Sequence, residues 1–391
     1  MPKLSRKTLL IAAFCLALII VFAAVYYFFL PTRSPQDSNE GPKFAPFWNE
    51  RIEAAMARSD CPDTGQPTVP ATSYQGKLID GHIHIPSIFT GGVTDEPGVE
   101  DRQVNSTLGL NLKMSELVCV LKHDGTSQAI AFFPVYKEMI GPHLEIVKRT
   151  IERYPKTFIP FNMPPDNDGS KDGFPTVDAT TLEIMLGVYP GLFKGYGEIG
   201  LYARDGGAPE LPPDSERLQE IYPVVRKNKL AVYFHLGEGQ RESYKKAIKA
   251  NPEIHFIFHG DQLIKQEQDG RQDLSQIEDI LSSAPNVYYE VDELWGDVWL
   301  LRPQVTKEQF SAHFKDYEPL LEKDVATWKG FIERHPDQVI WGSDRGITRW
   351  TVDLQVGRTL TSYVRAFIAR LDPKVQEKYA YKNAQKIFQK Q

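Results

Sequence analysis

The chain has 391 residues, of which 25% are charged and 41% hydrophobic, and its formal net charge is −6. That composition fits a globular protein of one large domain or two ordinary ones. Lys3, Arg6 and Lys7 are the only charged residues before position 31, so the remainder carries about −9. An acidic body has no electrostatic reason to hold a nucleic-acid backbone, which disfavours DNA or RNA as the main partner.

No charge occurs from Thr8 to Leu30. As a helix that run measures about 35 Å, enough to cross a hydrocarbon core of about 30 Å. It ends in Tyr26-Tyr27-Phe28-Phe29-Leu30-Pro31, bulky residues that suit a membrane interface better than a cleavage site. The expectation is a signal anchor, with the lipid bilayer as partner through residues 8–30 and a cleaved signal peptide as the alternative. The basic tip keeps the N-terminus cytoplasmic, which would place the large domain outside the cytoplasm, periplasmic or extracellular.

Residues 31–76 read as a linker with one short helix, near Phe47–Ser59, and Pro- and Gly-rich stretches on either side. Cys15 lies in the apolar run. Cys61 and Cys119 remain as two free thiols or as one disulfide, the second fitting an oxidising compartment. Neither has a CxxC partner, so no zinc knuckle is expected.

From residue 77 to 391 short apolar runs alternate with longer helix-like stretches, the pattern of βα units. Eight strands are predicted near Leu78–Ile85, Gln128–Val135, Phe158–Asn162, Gly195–Leu201, Leu230–Leu236, His255–His259, Val287–Val291 and Gln338–Gly342. Helices fit between them, for example Leu144–Tyr154, Thr180–Val188, Ser215–Lys227, Ser243–Ala250, Leu274–Ser283 and Asp324–Arg334. Two more follow the last strand, near Val352–Arg370 and Lys374–Phe388. The fold class is therefore α/β, a (β/α)8 TIM barrel preceded by a single N-terminal transmembrane helix. No Gly-rich nucleotide signature follows a strand. Two stretches, 86–112 and 294–320, read as long loops leaving the C-terminal strand ends, where barrel active sites form.

His82 and His84 form a His-x-His pair in Asp80-Gly81-His82-Ile83-His84. In a strand, positions i and i+2 face the same way, so both imidazoles can meet one cation. Glu198, His235, His259 and Asp344 each follow a short apolar run. They belong to strands 4, 5, 6 and 8, and side chains at the same end of five barrel strands converge on one mouth, where a metal would satisfy them. By contrast His123, His143, His313 and His335 fall in helices or loops and read as solvated. His255 begins its strand about 13 Å below His259 and is not expected to be a ligand.

This ordered set resembles the amidohydrolase superfamily, in its amidohydrolase-related branch of TIM-barrel metal-dependent hydrolases. The resemblance runs over about residues 76–390, through DGHIHI at strand 1, His235 and His259, WGSD at strand 8, and the closing Tyr381–Phe388. GEIGL at Glu198 is also similar to TatD-type nucleases, in which a strand-4 glutamate helps hold two metals, although WGSDRG departs from that pattern. Many superfamily members use a carboxylated lysine at strand 4. Lys194 sits at the wrong end of the strand for that, which leaves Glu198 as the bridging candidate.

The resemblance implies one or two divalent ions, zinc foremost and manganese as the alternative. His82, His84 and Asp344 would hold one ion, and His235 and His259 a second, with Glu198 and a water between them. Asp344 and His259 are the catalytic candidates. Arg345 and Arg349 could hold an anionic group of a small-molecule substrate, and Asp292 and Glu293 end strand 7 where substrate contacts are plausible. Trp295 and Trp299 either pack on the barrel or wall the pocket. The expected reaction is hydrolysis of an ester, lactone, amide or phosphoester by metal-activated water. The alternatives are a metal-dependent decarboxylase of the same branch and a membrane-tethered binding protein with a relic site. The oligomeric state stays open.

Overall fold

The computed structural model describes residues 44–85, 113–137, 140–203, 208–266, 272–292, 294, 305–346 and 349–389. Its centre is an eight-stranded parallel sheet in sequential order. The strands are β1 Ile79–His84, β2 Gln128–Pro134, β3 Phe158–Met163, β4 Gly195–Gly200, β5 Ala231–His235, β6 Phe256–His259, β7 Val287–Val291 and β8 Val339–Trp341. All eight predicted strands are present, with ends within about two residues of those expected. Between β8 and β1 the barrel is joined by an Ile83–Arg345 bridge and a 2.7 Å hydrogen bond from the His84 N–H to the Arg345 carbonyl.

Around the sheet lie α1 Pro46–Met56, α2 Met114–Asp124, α3 Ile140–Arg153, α4 Ala179–Val188, α5 Glu216–Lys227, α6 Arg241–Ala250 and α7 Ser275–Ser283. These are followed by α8 Lys307–His313, α9 Glu318–Arg334, α10 Leu354–Ala369, α11 Pro373–Glu377 and α12 Asn383–Gln389. Local chemistry sets their ends. Asp178 caps α4 by accepting from the Thr181 N–H, and Asp353 caps α10 by accepting from the Gln355 and Val356 N–H groups. The buried face of α10 contains Val356, Leu360, Val364 and Phe367, the helical spacing of an amphipathic stripe.

The strands are apolar on both faces because each face has its own core. Outward positions such as Ile83, Val232, Phe234, Phe258, Tyr289 and Trp341 pack with the helices. Inward positions such as Ile79, Phe132, Phe161, Tyr233, Ile257 and Ile340 form a second cluster, joined by Ala384 and Ile387 of α12 at the N-terminal end of the barrel.

Two irregularities aim the site. Strict alternation would put Asp80 on the same face as His82, and Glu198 on the same face as the outward Tyr196. The register shifts between Asp80 and Ile83 on β1 and between Tyr196 and Ile199 on β4. Each shift spans a glycine. A Cβ on Gly81 would stand 2.6 Å from the Trp341 carbonyl oxygen, and one on Gly197, whose φ is 127°, would stand 2.3 Å from that of Tyr233. These bulges turn His82 and Glu198 inward.

Several expectations need correction. Residues 307–313 are helical and α9 starts at Glu318, so 294–320 is no continuous loop: the Thr306 capping box closes the N-terminus of α8, and Phe310 and Phe314 are buried. The predicted helix at Lys374–Phe388 is divided by a π-helical turn at Lys378–Lys382. Of the two alternatives left open for Cys61 and Cys119, the structure has the disulfide, which ties the stretch after α1 to α2. The single-pass membrane localisation is not upheld. Among the described residues no helix is long and apolar enough to cross a membrane, and the segment 8–30 that was to do so lies outside the described residues. Loop 86–112, Glu293, Trp295 and Trp299 also lie outside them.

Candidate metal centre

Each strand delivers its polar residue where its apolar run ends. His235 and His259 stand opposite each other in the β5–β6 register, with ring centroids 4.2 Å apart. His82 and His84 are separated by one outward residue on β1, and their Nε2 atoms lie 3.2 Å apart. Asp344 follows β8 with φ 49°, a left-handed conformation that few non-glycine residues adopt. That bend sets its Oδ1 2.9 Å from His84 Nε2 and 3.2 Å from His82 Nε2.

Glu198 links this trio to the other two histidines. Its Oε2 is 3.5 Å from Nε2 of both His82 and His84. Its Oε1 is 3.1 Å from His235 Nδ1 and 2.9 Å from His259 Nε2. The six predicted residues thus meet in two contiguous groups, His82–His84–Asp344 and Glu198–His235–His259, and within each group the donor atoms all lie within 4.8 Å of one another.

The fit to a cation is a matter of chemistry as well as distance. Asp344 Oδ1 is buried and makes no hydrogen bond among the described residues, although two ring nitrogens approach it. A buried carboxylate oxygen in that condition is costly unless a cation completes it. The electrostatics agree. Burial pushes the His82 imidazolium down, yet the Asp344, Glu198 and Glu290 carboxylates together outweigh it and hold His82 well above the usual histidine range. Burial likewise opposes a charged His259, and Asp292 and Glu198 raise it well above that range. Burial would raise the Glu198 carboxyl, but hydrogen bonds with His235, His259 and His82 hold it well below the ordinary carboxylate value.

Behind the donors stands a set the sequence reading did not identify. Glu290 on β7 is fully buried and accepts a 2.7 Å hydrogen bond from the Tyr233 hydroxyl. Burial, reinforced by Asp292, pushes its carboxyl up to about 7 against the pull of His82 and His259. Asp292 was expected near substrate. It is buried instead, with Oδ2 2.6 Å from His259 Nδ1. Gln262 Oε1 lies 2.9 Å from His235 Nε2. The available signal was the acid in Val287-Tyr288-Tyr289-Glu290-Val291, at an inward position of an apolar strand.

Arg345, a candidate for holding an anionic substrate group, is enclosed in a separate ion-pair cluster. It is 1% exposed, and its guanidinium meets Asp124 at 2.7 Å and Asp80 at 3.0 Å, with Ser343 also bound. Burial lowers the guanidinium, but Asp124 and Asp80 more than reverse this. The Asp80 carboxyl is raised by burial despite Arg345 and Ser343. Because arginine does not deprotonate in proteins, it fixes the positive charge of this cluster. Arg349 lies in a short 3-10 turn at Arg349–Val352, and its side chain is outside the described set. His123 and His143, expected to be solvated, are buried at 1% and 2% exposure. Their helices α2 and α3 pack those faces inward: His123 Nδ1 lies 3.3 Å from the Gly65 carbonyl, and His143 Nδ1 accepts from the Tyr136 N–H. His255 behaves as expected, bonded to the Ile387 carbonyl at the far end of its strand. A cavity of about 770 Å³ opens at that far end beside Phe158, Lys194 and Phe388 and contains none of the converging donors.

A barrel of eight parallel strands with histidine and carboxylate donors gathered at its C-terminal rim is the framework of metal-dependent TIM-barrel enzymes. A family model described as amidohydrolase matches residues 173–390, and the chain belongs to that family. No curated protein matches it in sequence. An amidohydrolase from Burkholderia multivorans with bound HEPES is 11% identical and superposes with a TM-score of 0.50, covering 80% of this chain and 99% of that one. The zinc-bound form from the same organism gives 12%, 0.48, 80% and 99%. A 2,6-dihydroxybenzoate decarboxylase in complex with 2,6-dihydroxybenzoate gives 12%, 0.44, 80% and 98%. Likeness at such identities concerns the fold.

Proposed function

We propose that this chain is a metal-dependent hydrolase acting on an ester, lactone, amide or phosphoester of a small molecule. His82, His84 and Asp344 would hold one divalent ion, and His235 and His259 a second, with Glu198 reaching both. Zinc is the first choice for such a nitrogen-and-oxygen donor set, and manganese the second. Bound there, the ion supplies Lewis acidity and lowers the pKa of water towards about 7.

The chain's own groups account for proton handling. Asp344 would accept the proton of the attacking water and return it to the leaving group. With a single ion, His259 becomes a free acid–base group, backed by Asp292 at 2.6 Å. The supporting observation is the buried Oδ1 of Asp344, which has no hydrogen-bond partner among the described residues and faces two imidazole nitrogens.

The test is metal analysis of the purified chain, followed by a panel of lactones, amides and phosphoesters beside an assay for CO2 release. The expected result is about one or two equivalents of zinc or manganese and hydrolysis that a chelator abolishes. CO2 release without hydrolysis would make the protein a lyase, and a chain that retains no metal would end the reading.

A further inference from the structure

Resting on that reading, we infer that Glu290 is a positioning residue for the metal centre: with Tyr233 and Gly342 it fixes His82 as the tautomer protonated on Nδ1, so that the Nε2 lone pair points at the cation. Three independent features converge on this carboxylate.

The first is alternation. Glu290 on β7 and Asp292 directly after it are i and i+2, and both face the barrel axis. Asp292 serves His259 Nδ1 at 2.6 Å, and Glu290 serves His82 Nδ1 at 3.3 Å. One strand therefore supplies one carboxylate to the rear nitrogen of each of two histidines whose front nitrogens face Glu198.

The second is the second hydrogen on the same oxygen. The Tyr233 hydroxyl donates to Glu290 Oε2 at 2.7 Å and lies 3.3 Å from His82 Nδ1. As a carboxylate, Oε2 accepts from both the Tyr233 hydroxyl and His82, which puts the imidazole proton on Nδ1. A histidine ligand held in this way is better oriented and more basic at its other nitrogen.

The third is space. A Cβ at Gly342 would stand 1.8 Å from Glu290 Oε1 and 2.8 Å from His82 Cβ. The residue directly after β8 therefore gives up a side chain where the carboxylate and the imidazole lie against it. The rear cluster of His82, His259, Glu290 and Asp292 could itself be taken for a cation cage, since its donor atoms also lie within 4.8 Å of one another. The Tyr233 hydrogen bond and the short His259–Asp292 contact instead engage one oxygen of each carboxylate, Glu290 Oε2 and Asp292 Oδ2.

The experiment compares zinc binding by the unaltered chain, E290Q and Y233F, each stripped of metal and titrated against a chromogenic chelator, with thermal unfolding of the metal-free forms alongside. E290Q is expected to bind zinc about 10- to 100-fold more weakly. Y233F, which removes only one of the two donors to Oε2, loses less, and the metal-free melting temperatures stay close together. Unchanged affinity in E290Q overturns the inference, as does a loss of affinity that only tracks a lower metal-free melting temperature. Should E290Q not fold, an unchanged Y233F overturns it. If the unaltered chain binds no zinc, the functional reading fails and takes this one with it. If it binds and E290Q binds equally well, only this one fails.

Discussion

Two buried charged clusters share the seam between β1 and β8, and they are built from alternate residues of the same two segments. Inside are His82, His84 and Asp344. Outside are Asp80, Ser343 and Arg345, with Asp124 of α2. The outer cluster is complete: two carboxylates share one guanidinium and a hydroxyl, and the Ser343 N–H donates to Asp80 as well. The inner one brings two imidazole nitrogens against Asp344 Oδ1, which makes no hydrogen bond among the described residues. Sequence neighbours thus divide between a cluster that closes the barrel's seam and one whose donors we propose to hold a cation. The bulge at Gly81 separates the two roles, because without it Asp80 and His82 would face the same way.

The contrast is broken most severely at Asp344. D344N keeps the shape and one acceptor but removes the charge and the base. Turnover of whichever substrate the panel yields is expected to fall about 10²- to 10⁴-fold, with little change in the metal-free melting temperature. Undiminished turnover would mean the inner cluster is only structural. At Arg345 the signs reverse. R345M leaves Asp80 and Asp124 buried without their cation and should lower unfolding stability in urea by about 3–5 kcal/mol. Adding D80N and D124N should recover much of that, because no charge then remains to be stranded. A single R345M as stable as the unaltered chain would refute the clamp.

How far the sequence reveals these clusters follows from the range of the forces involved. The strands were legible because both faces of each are buried, so an apolar run with Gly or Pro at its ends has few other uses. The six donors were legible because each ends such a run. Arg345 was misread because an arginine after a strand usually lies in solvent, and its partner Asp124 is 221 positions away at the end of a helix. Glu290 escaped because the polar residue inside an apolar strand was given less weight than those at the strand ends. The bulges at Gly81 and Gly197 had no local signature beyond glycine itself, since the carbonyls that exclude a side chain belong to other strands. His123 and His143 read as solvated because helix faces, unlike strand ends, do not declare which side the barrel will cover.

His143 sharpens the comparison at its smallest scale. His82 and His143 are equally buried, at 0% and 2% exposure, yet their proton affinities move in opposite directions. Carboxylates raise His82. Burial, with nothing to oppose it, lowers His143 to about 3. The unfolded chain, with an ordinary histidine pKa of about 6.5, then binds a proton that the folded chain refuses. His143 therefore costs no stability above about pH 6.5, and the folded state loses about 1.4 kcal/mol per pH unit below it, until about pH 3. H143N keeps an acceptor for the Tyr136 N–H and removes the titration. Between pH 6.5 and 4.5 the unaltered chain should lose about 2–3 kcal/mol more stability in urea than H143N does. Equal losses would mean that His143 takes up its proton without unfolding, and that burial alone does not set its charge.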